Sequence, residues 1–178
     1  MATYKNKKTG QKHKPAHLLE EPLGVYVTKA PDVNPGYVTR SLELLGLPQN
    51  KTFTIHNSLD FVTIIRNGVP KKALDTLLDK TGITTSEISE IIHTSDRTLR
   101  RYTPQQKLNP DQTERVIQLA HLYSRGEEVF EGLTEFKEWM NSAVIALGNK
   151  KPKEFLDTSI GIDYLIEELG RIEHGIFA

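Results

Sequence analysis

From Val69 onward, apolar positions recur every three or four residues, the period of one face of an α-helix. Ala73, Leu74, Leu77 and Leu78 form one such stripe, which Gly82 closes. Thr84-Thr85-Ser86-Glu87 has the form of a capping box, in which hydroxyl and carboxylate satisfy the free amides of a helix start reciprocally. The helix it opens carries Ile88, Ile91 and Ile92 inward. Ser95 is placed to cap a third short helix, with Leu99 inside, Arg97, Arg100 and Arg101 toward solvent, and Thr103-Pro104 at its end. Asn109-Pro110-Asp111-Gln112 is another strong start, and Val116, Leu119, Ala120 and Tyr123 make the buried stripe that follows. A further helix around Glu135–Met140 presents Phe136, Trp139 and Met140, with Trp139 read as core. The last, Ser159–Glu173, sets Ile162, Leu165, Ile166, Leu169 and Ile172 on one face. Upstream the pattern thins. Residues 37–46 read as a short helix stopped at Gly46, and Ser58 opens another that ends at Gly68. Alternation is confined to 24–27 and 52–55, each long enough for a brief strand only, and residues 1–32 are broken by Pro15, Pro22 and Pro31. The fold class predicted is all-α.

Composition narrows the function. Of 178 residues, 37% are hydrophobic and 26% charged, which suits a soluble globular chain rather than a disordered or membrane one. No apolar run approaches the ~20 residues a membrane span needs, and the lysine-rich start has no apolar core of a secretory signal. Cysteine is absent, so there is neither a disulfide framework nor a thiolate metal site, and the expected location is cytoplasmic. The 23 basic and 23 acidic residues cancel, so any nucleic-acid binding must come from a local patch. The charges are segregated: Lys5, Lys7, Lys8, Lys12 and Lys14 stand without an acid among residues 1–17, and Glu127, Glu128, Glu131, Glu135 and Glu138 crowd a later stretch. The lysine run reads as a solvated tail.

Catalytic patterns are missing. There is no cysteine nucleophile, GxSxG elbow, HExxH pair or phosphate loop ending in GK[ST]. His13 and His17 are separated by Pro15, which disfavours the helix that would align them. Glu173 and His174, adjacent on a helix, do not face one another. Asp157, Asp163 and Glu167 suit the first turns of a helix better than a metal site. The expectation is a chain that is not an enzyme and calls for no cofactor and no metal.

Residues 71–102 have the proportions of a helix-turn-helix with its supporting helix, Ile88, Ile92 and Leu99 holding the pair together. Ser95, Arg97, Thr98, Arg100 and Arg101 are the exposed positions able to reach phosphates and base edges, arginine in particular by a bidentate contact to guanine. The turn departs from its usual chemistry. His93 stands where glycine would take a positive φ without steric cost, and Ser89 and Thr94 replace a small apolar and an aliphatic residue. Spacing alone leaves open three short helices that simply pack, with the arginines as a solvated face.

Specific residues decide between these readings. The segment Ser95-Asp96-Arg97-Thr98-Leu99-Arg100-Arg101-Tyr102 resembles the recognition helix of Xre-like antitoxins, and residues 108–130 resemble the helix that follows it there. Residues 135–141 and 146–178 are similar to the C-terminal toxin-binding domain of the Xre/MbcA/ParS-like antitoxins. The similarity is carried by Ala146-Leu147-Gly148, by Pro152 with Phe155-Leu156-Asp157, and by Leu169-Gly170-Arg171-Ile172-Glu173-His174-Gly175. The resemblance covers roughly residues 69–178. It implies an N-terminal extension over 1–60, partly irregular, an Xre-like helix-turn-helix domain over 61–125 and a small helical toxin-binding domain over 126–178. It implies the antitoxin of a type II toxin–antitoxin system, paired with a RES-domain toxin that attacks NAD, degrading it or using it for ADP-ribosylation. It further implies a C-terminal end that covers the toxin's active-site cleft, and repression of the chain's own promoter as double-stranded DNA. The toxin-binding candidates are then Arg171, Ile172, Glu173, His174, Gly175, Ile176 and Phe177, with Ile176 and Phe177 as apolar anchors and Arg171 and Glu173 as directional contacts. A homodimer would set two recognition helices one turn of DNA apart. Alternatives remain: a stand-alone transcriptional regulator, or a pure inhibitor with a vestigial helix-turn-helix. The C-terminal residues have a purely structural reading as well, in which Ile172 and Phe177 only cap the domain's core and Gly175 only ends the last helix.

Overall fold

The computed structural model describes residues 35–48 and 58–175. The lysine-rich tail, the brief strands expected at 24–27 and 52–55, and Ile176 and Phe177 lie outside them.

Asn109-Pro110-Asp111-Gln112 starts the central helix as its chemistry dictates. Asn109 Oδ1 accepts from the Gln112 amide at 2.8 Å, and Gln112 Oε1 accepts from the Asn109 amide at 3.1 Å. Pro110 occupies the first helical turn, where it has no hydrogen bond to forfeit. The helix, α6 (Pro110–Val129), buries Val116, Ile117, Leu119, Ala120, Leu122 and Tyr123. Such wide burial requires neighbours around much of its circumference.

Three of those neighbours precede it. Helix α1 (Pro35–Leu44) ends before Gly46, at φ +60°, and delivers Leu42, Leu44 and Leu45 to the core. Helix α2 (Ser58–Asn67) contributes Ile64, and α3 (Lys71–Thr81) contributes Ala73, Leu74 and Leu77. All three pack on α6. Arg40 fixes α1 to it by a fork on Glu127, at 2.6 and 2.7 Å, and those bonds hold the guanidinium still more firmly protonated than usual. Gly68, at φ +73°, cannot be replaced cheaply: a Cβ there would stand 2.4 Å from the Leu108 carbonyl oxygen.

After α3 come two short helices, α4 (Thr85–Ile91) and α5 (Asp96–Arg101), whose Ile88 and Leu99 are buried. Beyond α6, α7 (Leu133–Asn141) docks through Phe136, which lies edge-on to Tyr123 at 5.2 Å and stacks on Trp139 at 5.7 Å. Two single-turn 3-10 helices, Ile145–Leu147 and Pro152–Phe155, then bury Leu147, Pro152 and Leu156. They lead to α8 (Ser159–Glu173), capped by the Thr158 hydroxyl on the Gly161 amide at 3.0 Å. Ile162, Leu165 and Leu169 are fully buried against α6, while Ile166 and Ile172 are half-buried. Among the described residues there are two isolated bridges and no strand, and no helix is long and apolar enough to cross a membrane. Helix α6 runs unbroken across position 125, so the helix-turn-helix and the C-terminal helices share one core.

Candidate functional site

The turn between α4 and α5 is built by local chemistry. Thr84 Oγ1 accepts from the Glu87 amide at 3.2 Å and Glu87 accepts from the Thr84 amide at 2.9 Å, which completes the expected capping box. The Thr84 amide, its hydroxyl and Lys153 together hold the Glu87 carboxyl below its ordinary range. At the other end, His93 takes φ +51°. Its amide bonds the Glu90 carbonyl at 3.2 Å and the Thr94 amide bonds Ser89 at 2.9 Å, the paired bonds of a Schellman stop. Histidine therefore does occupy the left-handed position that glycine would fill at lower cost. Ser89 is buried without an orphan, since its hydroxyl donates back to the Thr85 carbonyl at 2.7 Å.

Ser95 then caps α5, its hydroxyl taking the Thr98 amide at 3.1 Å and lying 2.8 Å from the Thr98 hydroxyl. Arg97, Arg100 and Arg101 are exposed. Arg100 pairs with Asp96 at 2.8 Å, one turn back. Arg97 and Arg101 have no ion pair among the described residues. Backbone bonds from Lys72 to Pro104 (2.9 Å) and from Lys71 to Gln106 (2.8 Å) lay the start of α3 beside the loop that leaves α5. Two exposed lysines, Lys72 and Lys107, thus flank the loop that leaves α5, with the Lys107 ammonium on the Asn67 carbonyl at 2.9 Å, a placement that linear spacing did not disclose.

The second cluster closes α8. Arg171 donates to Glu168 at 2.5 Å and lies 5.7 Å from the Tyr164 ring, contacts within its own helix that raise the guanidinium's pKa. Arg125, on α6, forks onto Glu173: Nη1 meets Oε1 at 3.1 Å and Nη2 meets Oε2. That fork holds the Glu173 carboxyl below its ordinary range. Burial, and then the Arg125 charge, push the neighbouring His121 imidazole down, against an opposing pull from Asp163. His174 and Gly175 are exposed, and Gly175 takes φ +66° with its amide on the Ile172 carbonyl at 3.0 Å, ending the helix. Five of the seven candidate toxin-binding residues are therefore gathered in one turn. Two of them, Arg171 and Glu173, already hold internal partners.

Where α3, α4, α7 and the second 3-10 helix meet, a cleft of about 290 Å³ is bridged by Lys153 and Glu87 at 3.3 Å. Among the described residues, no group of His, Asp and Glu is arranged to hold a metal ion.

Comparison with known proteins places these two clusters in separate family domains. Residues 60–121 match the antitoxin Xre-like helix-turn-helix domain, and residues 125–175 match the antitoxin Xre/MbcA/ParS C-terminal toxin-binding domain. An "Antitoxin Xre" of Yersinia enterocolitica serotype O:8 / biotype 1B is 26% identical over 147 residues, covering 81% of this chain and 95% of that protein. An "Antitoxin Xre" of Photorhabdus laumondii subsp. laumondii is 26% identical over 115 residues, or 64% of this chain and 78% of its own length. A chain from the crystal structure of the M.tuberculosis MbcT-MbcA toxin-antitoxin complex is 20% identical, with a TM-score of 0.45 over 61% of this chain and 96% of that one. With a helix-turn-helix domain and a toxin-binding domain matched in succession, the chain belongs to the Xre/MbcA/ParS-like antitoxins of toxin–antitoxin systems.

Proposed function

We propose that the chain neutralises a RES-type, NAD-attacking toxin encoded beside it by laying the end of α8 and the residues that follow over the toxin's active-site cleft. Its own promoter is repressed through α5. The observation that carries this reading is that each matched domain presents a different exposed element: the arginines of α5 in one, the terminal turn of α8 in the other. One chain can then hold DNA and toxin at separate surfaces. It acts by binding rather than catalysis, in the cytoplasm.

In the DNA role, Arg97 and Arg101 offer guanidinium forks without an ion pair among the described residues, and Arg100 is released from Asp96 at little cost because exposed pairs contribute ~0–1 kcal/mol. Ser95 and Thr98 hold the start of α5 in register and reach phosphate from there. A two-fold homodimer would set two such helices about 34–36 Å apart, matched to a palindromic operator. In the toxin role, Ile176 and Phe177 are the apolar anchors, Ile172, His174 and Gly175 shape the approach, and Arg171 and Glu173 supply directional contacts.

The test is co-expression with the product of the adjacent reading frame, followed by tagged co-purification and growth assays. The expected result is a stable complex and growth arrest when the neighbour is expressed alone. Deletion of Arg171–Ala178 should release toxicity and leave promoter binding. Alanine at Arg97, Arg100 and Arg101 should do the reverse. Absence of both complex and toxicity would leave a stand-alone regulator.

A further inference from the structure

Three consecutive residues of α6 tie three different helices to it. Arg125 holds α8 through Glu173. Gly126 holds α7, because a Cβ there would stand 2.3 Å from the Phe136 ring and only glycine leaves room for it. Glu127 holds α1 through Arg40.

For α8 the tie has a particular consequence. Its packing fades toward the end: Leu169 is fully buried, Ile172 only half so, and Glu173, His174 and Gly175 are exposed. Arg171 bonds Glu168 within the same helix and so fixes nothing relative to α6. The Arg125–Glu173 fork ties this last turn to another element. It is a two-bond fork from an arginine side chain only 13% exposed, which restricts rotation in a way a single exposed ion pair does not.

We propose that Arg125 is a positioning residue for toxin capture. Its fork on Glu173 fixes the last turn of α8 against α6 and thereby the direction in which the backbone leaves Gly175. The inference rests on the reading that this end engages the toxin. It also revises the part Glu173 plays: that carboxylate works through Arg125, as the inner anchor of the turn, rather than as a contact offered to the toxin. Affinity then comes in part from pre-organisation, because a last turn already fixed loses less freedom on binding.

The experiment is a double-mutant cycle in the full chain, Arg125→Gln, Glu173→Gln and both together, with the purified product of the adjacent reading frame as the probe. Each single change should speed dissociation roughly 10-fold, and the double should be no worse than either single. Arg125→Lys, which keeps the charge and loses the fork, should fall between wild type and Arg125→Gln. The unfolding midpoint should barely move, whereas amide exchange at His174 and Gly175 should accelerate. Single effects that multiply in the double, or an unchanged dissociation rate, would overturn the proposal while leaving the antitoxin reading intact. If the wild-type chain itself fails to bind the probe, that reading fails first. Exchange at His174 and Gly175 then decides the fork alone, and rates unchanged in Arg125→Gln overturn it.

Discussion

His93 carries the backbone strain of the turn between α4 and α5. A tight turn after α4 demands a left-handed residue, no glycine is available, and histidine takes φ +51°. Replacing it should therefore help: His93→Gly is expected to raise stability by about 0.5–1 kcal/mol in urea unfolding, since β-carbon crowding disappears there. A loss of stability would mean that the imidazole contributes contacts worth more than the strain. The capping box is legible in the sequence, because Thr84 and Glu87 lie three residues apart and their reciprocity is a property of any helix start. Its pH dependence follows from the depressed Glu87 carboxyl. A carboxyl whose folded pKa lies below the unfolded value, ~4.3, stabilises fully above that value and loses the contribution as pH falls through the folded pKa. The difference in thermal midpoint between wild type and Glu87→Ala should accordingly be present at pH 7 and shrink below about pH 4. A constant difference would assign the effect to packing. By contrast, nothing local marks Arg125 as a partner of Glu173, or Arg40 as a partner of Glu127. These pairs are separated by 48 and 87 residues, and only the fold brings them together.

At the scale of elements, periodicity together with cap and stop residues located every described helix with two or more turns, and both failed where a segment is too short to carry them. The 3-10 helices at Ile145–Leu147 and Pro152–Phe155 are single turns, too short to display a repeat, although their residues carry the family resemblance. The apolar stripe of α6 stops at Tyr123, whereas the helix continues to Val129 through Gly126. In linear sequence that glycine resembles a stop; in space it is the gap into which Phe136 fits. Helix α5 was legible as an element, with its arginines outward, but Lys72, which the fold brings to the loop leaving it, was not. This bears on the proposed DNA binding, which for a chain of zero net charge calls for a local basic patch. Affinity for the promoter should fall steeply with added salt, and Arg97→Ala or Arg101→Ala should each reduce the slope of log K against log salt by about 1 if it neutralises one phosphate. Lys72→Ala tests whether the patch extends to α3. A slope identical to wild type would confine the phosphate contacts to α5.

The molecule as a whole is organised by a shared helix rather than by a linker. The two family domains adjoin between residues 121 and 125, inside α6, and the buried side chains on both sides form one continuous cluster. Separate domains would need an exposed, contact-poor segment at that point. Instead, Leu119, Leu122 and Tyr123 are buried there, and Arg125, Gly126 and Glu127 bind α8, α7 and α1. Damage in the toxin-binding domain should therefore be felt in the helix-turn-helix domain. Leu165 is fully buried in α8, and Leu165→Ala should cost about 2–5 kcal/mol by loss of burial and creation of a cavity. In a shared core that loss lowers one transition. Trp139 fluorescence, which reports α7, and far-UV circular dichroism, which reports all the helices, should then give the same reduced midpoint, and promoter binding should disappear over the same range. In two independent cores Trp139 would melt early, while a large helical signal and promoter binding persisted to the wild-type midpoint. The first outcome would make stability common to both functions, so that a toxin holding α8 in place also strengthens the scaffold beneath α5 by mass action.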